Sequence, residues 1–434
     1  MAREIIQVEQ RPPFGIGIAL SLQHLFAMFG ASVLVPILFH VDPSVVLLMN
    51  GIGTLLFILI TKGKAPAFLG SSFAFLAPTF IILGTPINSG NYALALGGFV
   101  IVGIVFMLVA GIIKLFGTGW IDIVMPPAAM GAVIALIGLE LAGTAASGAG
   151  VLGDNIDLRN VIVFLVTLCT AVIGSAMFKK FFSVIPILTA IVVGYLTAII
   201  IDSTWVLGAG AHKLCDFSKF AGMHGLSSVF IMPHFAHPVF HWNAIFVILP
   251  AAIVVIAEHI GHQLVTSKIV ERDLIKDPGL HRTLFADGIS TALSGLVGSV
   301  PTTTYGENIG VMAVTRVYSV WVIGGAAVIS ILIAFIAPVA FLINSIPWAV
   351  IGGVSFLLYG MIAASGIRLL VEAKVDYSKS VNLILTSVVL ITGLSGVAVN
   401  INGYGLKGMA LASIVAMLLG LFFYVAEKLN MLNN

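Results

Sequence analysis

The chain has 434 residues, of which 59% are hydrophobic and 9% are charged, and its formal net charge is +2. A soluble domain carries about a quarter charged residues, so this composition excludes a soluble protein and predicts a polytopic membrane protein. The two cysteines, Cys169 and Cys215, are too few for a disulfide framework or a cysteine metal site. The first residues do not form a short apolar run with a cleavage site, so we expect no removable signal peptide.

Hydrophobic segments follow one another along the whole chain, and about 20 helical residues span a bilayer. The third and tenth segments are too short for a full span, and Gly, Pro, Ser and Thr interrupt the chain at 70–78 and 298–306. We predict fourteen segments, near 14–38, 44–61, 68–83, 92–116, 121–143, 158–178, 183–201, 241–265, 283–300, 308–317, 319–340, 345–366, 381–400 and 405–426.

The placement of Lys and Arg gives an orientation. If the N-terminus is cytoplasmic, sixteen of the twenty basic residues lie inside, and the four outside are Arg159, Lys213, Lys219 and Lys407. Cytoplasmic loops carry such an excess. The pattern therefore predicts that both termini are cytoplasmic and that the number of segments is even.

The two halves of the chain share short matches at a nearly constant offset. Gly70-Ser71 matches Gly298-Ser299, Tyr92 matches Tyr318, and Pro127 matches Pro347, at offsets of 220 to 228 residues. Together they indicate an internal duplication. Because seven is an odd number, the halves are expected to be inverted in the membrane, and paired interrupted segments in inverted halves indicate the binding site of a transporter.

Two carboxylates, Glu258 and Glu307, lie in stretches that otherwise read as buried in lipid. An ionisable group at that depth costs a few kcal/mol, so it is expected to line a cavity or to have a partner. Phe73 and Gly306 lie at the two breaks, where helix N-termini offer N–H groups to a polar solute. The ring of Phe73 or Tyr305 could stack on a planar ligand. Structural pairing of Glu258 and core packing of Phe73 are the alternatives.

Histidines accompany the first carboxylate. His262 lies one helical turn after Glu258, on the same face, where it could hold the carboxylate, whereas His259 points elsewhere and is expected to pack. Glu140 lies near the outer end of its segment, so we expect a structural role. The order Glu-His-x-x-x-His differs from the His-Glu-x-x-His of metalloproteases, so we expect no metal site. The loop 202–240 holds His212, His224, His234 and His237, with His241 at its edge. A metal site is the alternative there, but the histidines lack a tight spacing with carboxylates, so we interpret the loop as solvated.

Carboxylates accept hydrogen bonds and amides donate them, which suits a neutral planar heterocycle with adjacent N–H and C=O groups. A carboxylate that can bind a proton would couple transport to proton flow. A passive channel is an alternative, but the scattered polar residues do not form a continuous polar path. An intramembrane enzyme would need a nucleophile and a base, and the sequence offers no such pair.

The stretch Glu307-Asn308-Ile309-Gly310-Val311-Met312-Ala313-Val314-Thr315-Arg316 resembles the signature of the nucleobase–ascorbate transporter family (nucleobase:cation symporter-2), [Q/E/P]-N-x-G-x(4)-T-[R/K/G], at every fixed position. The resemblance covers nearly the whole chain. It includes the stretches 21–30, 70–75, 126–131 and 257–262.

The resemblance implies an all-α polytopic fold of fourteen segments in a seven-plus-seven inverted repeat, with short antiparallel β-strands in segments three and ten. It implies a core domain of two parts, 14–116 and 241–340, and a gate domain of two parts, 121–201 and 345–426. An extracytoplasmic loop, 202–240, joins the repeats. It also implies a multi-pass protein of the cytoplasmic membrane, surrounded by lipid, and makes a homodimer through the gate domains plausible.

The resemblance further implies a transporter with no cofactor and no nucleic-acid partner, driven by the proton gradient. Glu at the first signature position goes with uracil transport, and purine carriers usually have Gln there, so a purine or xanthine permease is the alternative. Glu258, Glu307 and the amides of Phe73 and Gly306 are expected to bind the base, with His262 coupling to protons. His24, Asn308 and Thr315 are expected to support the site; bracing of the helix is the simpler role for Asn308 and Thr315.

Overall fold

The computed structural model describes residues 5–84, 87–153, 156–179, 181–205, 213–221, 226–401 and 404–432, and most of these residues are helical. The first half contains α1 (Phe14–Phe39), α2 (Pro43–Ile60), β1 (Leu69–Ser71), α3 (Leu76–Leu83), α4 (Tyr92–Phe116), α5 (Gly119–Val124), α6 (Pro127–Gly148), α7 (Leu158–Met177), α8 (Pro186–Thr204) and α9 (Ser218–Ala221). The second half contains α10 (Trp242–Val270), α11 (Leu280–Val297), β2 (Thr302–Thr304), α12 (Gly306–Thr315), α13 (Val320–Ile333), α14 (Ala337–Asn344), α15 (Trp348–Glu372), α16 (Ser380–Leu394), β3 (Ala398–Ile401), β4 (Tyr404–Lys407) and α17 (Gly408–Lys428).

Nine helices of the described residues are long and apolar enough to cross a membrane. They are α1, α2, α4, α6, α7, α8, α10, α15 and α17. A helix satisfies its own backbone hydrogen bonds, which is why such apolar runs form helices in lipid. Two of them, α2 and α7, begin at a polar cap: Asp42 accepts from the amide of Ser44, and Asp157 from that of Arg159, both at 2.9 Å.

A two-stranded sheet lies where two of the short segments meet. β1 and β2 pair antiparallel, with Leu69 opposite Thr304 and Ser71 opposite Thr302. Side-chain hydroxyls complete the hydrogen bonding of this buried backbone: Thr54 accepts from the amide of Leu69 at 2.9 Å, and Thr291 donates to the carbonyl of Thr302 at 2.8 Å. Extended backbone is tolerated at membrane depth only where protein groups satisfy it in this way.

The helices pack across the two halves of the sequence. α4 packs against α10 and α11, and α2 against α11 and α13, while α1 also lies on α13. In the same way α6 packs against α15, α16 and α17, and α7 against α8 and α15. Small residues allow the close approaches. A Cβ on Gly138 of α6 would overlap the carbonyl oxygen of Tyr359 in α15, and a Cβ on Gly103 of α4 would overlap backbone atoms of α11.

Several predicted segments are divided in the structure. The segment predicted at 319–340 is split into α13 and α14, because Pro338 in the first turn of α14 cannot continue a helix. The carbonyl of Phe335 at the break accepts from the amide of Ile231. The last residues of the segment predicted at 381–400 and the first residues of the segment predicted at 405–426 form the hairpin of β3 and β4 and not helix. Hydropathy alone treats an apolar strand and an apolar helix alike, so these divisions were not predicted.

The loop predicted as solvated is partly anchored. The carboxylate of Asp202 accepts the amides of Leu214 and Cys215, and the amide of His234 donates to Asp42. The side chains of His234, His237 and His241 are exposed, as the interpretation of a solvated loop requires. The predictions for His212 and His224 lie outside the described residues.

Candidate functional site

The candidate site lies beside the β1–β2 sheet, where α10 packs against β2, against the start of α12 and against the turn of 3-10 helix Phe73–Phe75. Each strand runs directly into a helical N-terminus, β1 through Phe73 into α3 and β2 through Tyr305 into α12. The first N–H groups of a helix have no partner within that helix. Phe73 and Gly306 therefore present amides at the centre of the fold, on opposite ends of one antiparallel sheet.

The two predicted carboxylates are both at this place. The side chains of Glu258 and Glu307 are half-buried, and the carboxyl group of Glu307 lies within electrostatic range of Glu258. Phe73 is half-buried and Gly306 is exposed. The structure thus brings together four predicted residues from three separate parts of the chain, and each of them retains some open surface.

His262 joins this group through β2. Its Nδ1 atom lies 3.1 Å from the hydroxyl of Thr304, and a Cβ placed on Gly306 would come within 3.4 Å of its Nε2 atom. The sequence pairs His262 with Glu258, one turn away, whereas this hydrogen bond goes to the strand. The imidazole therefore lies between α10 and the N-terminus of α12, with its second nitrogen directed at the break.

Tyr305 does not offer its ring to the site. The residue is 4% exposed, its hydroxyl donates to the carbonyl of Ser71 at 3.0 Å, and its ring covers Gly70. The prediction that Tyr305 could stack on a ligand is wrong for this structure, because the glycine in β1 leaves a space that the ring fills. Tyr305 instead ties the start of α12 to β1. The ring of Phe73 makes an edge contact with Tyr359 of α15, with centroids 6.3 Å apart.

The predicted supporting residues brace α12. The amide of Asn308 donates to the carbonyl of His24 at 3.1 Å and lies 3.2 Å from its Nδ1 atom, and both residues are buried. Thr315 donates to the carbonyl of Val311 at 2.8 Å and accepts from the amide of Val317, which closes the end of the helix. These contacts fix α12 against α1 at one end and cap it at the other. Bracing was the simpler role considered for Asn308 and Thr315, and a role of either residue toward a ligand stays a prediction.

A buried pair behind the site was not predicted. Nδ1 of His259 lies 2.8 Å from a carboxylate oxygen of Asp287, and both side chains are fully buried. Nε2 of His259 lies 2.9 Å from the hydroxyl of Thr283, and Thr303 of β2 donates to Asp287 at 3.3 Å. His259 was expected to be a packing residue. The available signal was Asp287 itself, an acidic residue inside a predicted membrane segment.

Glu140 has the structural role that its position predicted. Its carboxylate accepts from the amide of Met409 at 2.7 Å, at the start of α17. A Cβ on Gly408 would overlap the carboxylate, so the glycine makes room for this cap. Glu140 therefore joins α6 to α17 and is separate from the site.

A cavity of about 200 Å³ adjoins Glu307. It lies between α12, the start of α8 and α15, and its walls include Ala27, Ser183, Gly310, Val314 and Leu358. Among the described residues, no three His, Cys, Asp or Glu side chains are gathered as metal ligands. The site can form hydrogen bonds through two carboxylates, an imidazole and the N–H groups of two helix N-termini.

Interrupted segments that meet beside half-buried carboxylates within a bundle of apolar helices are typical of a membrane transporter. The comparisons with known proteins agree. Residues 16–402 match the model of a family described as the permease family. The chain belongs to this family, the nucleobase–ascorbate transporters whose signature lies in α12, and it is a transporter and not an enzyme.

The similar proteins extend over nearly the full length. The uracil permease of Escherichia coli (strain K12) is 54% identical over 99% of this chain and 96% of its own length. The uracil permease of Paenibacillus larvae subsp. larvae is 53% identical over the whole of both chains. Among solved structures, the murine Slc26a9 anion transporter in the inward-facing state matches with a TM-score of 0.72 over 96% of this chain and 69% of its own. At 10% identity that match concerns the fold alone.

Proposed function

We propose that this protein imports uracil by proton symport. The observation that carries the proposal is the convergence of Glu258 and Glu307 on the two helix N-termini at Phe73 and Gly306. Uracil has two ring N–H donors and two carbonyl acceptors, so carboxylates can accept from the ring and backbone amides can donate to the carbonyls. The names of the full-length relatives support the same substrate.

The carboxylates are the groups that would bind the transported proton. A charged carboxylate is costly at membrane depth. A carboxyl group that faces a cavity there can take up a proton, which removes the charge. His262 lies close to Thr304 of β2 and to Gly306. It is the residue through which protonation of a carboxylate would be linked to the binding of uracil. Uptake would then follow the proton gradient without any cofactor.

Transport is proposed to occur by alternating access between two domains. The core comprises 14–116 and 241–340, and the gate comprises 121–201 and 345–426. The mutual packing of α1, α2 and α4 with α10, α11 and α13, and of α6 to α8 with α15 to α17, supports this division. The antiparallel pairing of β1 and β2 supports an inverted repeat of seven plus seven segments. The cavity beside Glu307 lies between these two groups of helices.

The protein is also proposed to lie in the cytoplasmic membrane and to form a homodimer. The distribution of Lys and Arg supports a cytoplasmic membrane protein with both termini inside. A homodimer through the gate domains is the proposed assembly, on the strength of the family resemblance.

The substrate is tested by competition on the purified protein. Binding of labelled uracil should be displaced by unlabelled uracil and left largely intact by xanthine and hypoxanthine at the same concentration. Displacement by xanthine at lower concentrations than by uracil would instead assign a purine carrier on the same fold.

A further inference from the structure

A basic pocket lies where the end of α4 packs against the start of α11, away from the candidate site. Its volume is about 360 Å³, and its lining residues are Met107, Ala110, Gly111, Lys114, His281, Arg282 and Phe285. Three of these seven side chains can carry positive charge, and none of the seven is acidic. The pocket is therefore complementary to an anion.

Two acidic residues of the loop before α11 have basic partners outside the pocket. Asp277 forms an ion pair with Lys64 at 2.6 Å, and Asp273 lies 3.4 Å from Lys276. Burial and the neighbouring charges of Arg282 and Lys114 lower the pKa of His281, so this imidazole is mostly neutral near pH 7. The positive charge of the pocket therefore comes from Lys114 of α4 and Arg282 of α11, and His281 can donate a hydrogen bond beside them.

An apolar surface continues from the basic pocket. Leu108, Leu115 and Phe116 of α4 are more than half exposed, and Phe285 of α11 is 40% exposed. Gly111 leaves a gap between them, because a Cβ built there would meet nothing within 4 Å. A free anion would use only the basic groups, whereas a lipid would also cover this apolar wall.

We propose that this pocket binds an anionic phospholipid of the cytoplasmic leaflet. The phosphate would lie against Lys114 and Arg282, with His281 beside it, and an acyl chain would follow the gap at Gly111 and the ring of Phe285. The end of a membrane helix is at the depth of the lipid headgroups, where basic pockets between helices hold anionic lipids. The basic pocket is independent of the proposed substrate.

The test is lipid binding by the protein purified in detergent, with dioleoyl phosphatidylglycerol as the probe and native mass spectrometry as the measurement. The double variant Lys114→Gln/Arg282→Gln should bind this lipid roughly thirtyfold more weakly, from the loss of two basic side chains near the headgroup. The matched control is Lys374→Gln/Lys379→Gln. It removes two exposed lysines from the loop between α15 and α16 and should bind as the wild type does.

A second variant keeps the charges and tests the apolar wall. Gly111→Leu should fill the gap and weaken phosphatidylglycerol binding, while the folded protein keeps its melting temperature. Dioleoyl phosphatidylcholine should bind wild type and the Lys114→Gln/Arg282→Gln variant equally. Equal phosphatidylglycerol binding by wild type and that double variant would overturn the proposal. So would competition by inorganic phosphate together with unchanged binding by Gly111→Leu.

Discussion

At the scale of single residues, the site is built from groups that lie far apart in the sequence: Phe73, Glu258, and the adjacent pair Gly306 and Glu307. Glu258, Glu307 and Glu140 are all half-buried, but the carboxylate of Glu140 accepts a hydrogen bond from the amide of Met409. The difference separates a carboxylate that can receive a ligand from one that caps a helix. It also supplies a matched pair for mutagenesis.

Glu258→Gln is expected to weaken uracil binding by roughly a hundredfold, since hydrogen bonds to a charged acceptor are each worth about 1.5–3 kcal/mol. Isothermal titration of the purified variant with uracil measures this. Glu140→Gln is the control and should keep its uracil affinity while its melting temperature falls. If Glu258→Gln bound uracil as well as the wild type, the ring would have to be held elsewhere.

The buried pair of His259 and Asp287 is expected to stabilise the fold. Removing one partner of a buried ionisable pair costs about 3–5 kcal/mol, whereas replacing both by apolar residues is often neutral. Asp287→Leu should therefore melt well below the wild type, and His259→Leu/Asp287→Leu should recover most of the loss. Thermal unfolding in detergent, read by intrinsic fluorescence, follows both variants. A double variant no more stable than Asp287→Leu would show that the two side chains are not coupled.

The residues predictable from sequence were those whose chemistry is anomalous for their surroundings. Glu258, Glu307 and the break at Gly306 stand out in an apolar chain, so they could be proposed from the sequence, and the structure places them near one another. The direction of a side chain is a different matter. Tyr305 turns toward Gly70 and Ser71, and His259 toward Asp287, because of residues far away in the sequence. Only the packed structure decides such directions.

At the scale of elements, the sheet of β1 and β2 holds the two helix N-termini in place. Its ladder, the hydroxyls of Thr54 and Thr291, and the Tyr305 side chain together fix the start of α12. The sequence located the two interrupted segments from their Gly, Pro, Ser and Thr content. It missed the break between α13 and α14 and the hairpin of β3 and β4, because these also contain apolar residues.

Gly70→Ala is expected to abolish uracil uptake, because its Cβ would overlap the Tyr305 ring and move the start of α12. Uptake by cells that express the variant at the wild-type level is the measurement. Gly143→Ala in α6 is the control, since a Cβ there meets nothing within 4 Å. Wild-type uptake by Gly70→Ala would mean that Tyr305 does not set the position of Gly306 and Glu307.

At the scale of the whole molecule, the cavity beside Glu307 is placed between two groups of helices. Its walls come from α1 and α12 on one side and from α15 and the start of α8 on the other. By the predicted orientation, α12 runs from the site toward the cytoplasm. The cavity would then be part of the cytoplasmic path of the substrate.

Gly310→Cys, made with Cys169→Ser and Cys215→Ser, tests that path. A Cβ at Gly310 has open space, so the new thiol should react with a membrane-impermeant thiol reagent in inside-out vesicles and be protected by uracil. Right-side-out vesicles should react more slowly. Equal reaction from both sides, with no protection by uracil, would remove the cavity from the transport path.

The most direct measurement of the central claim is the uptake of labelled uracil by proteoliposomes with an inward proton gradient. Uracil should accumulate above its external concentration, the accumulation should collapse when a protonophore is added, and Glu258→Ala proteoliposomes should take up none. Uptake that reaches only equilibrium and is the same with and without the gradient would contradict proton symport.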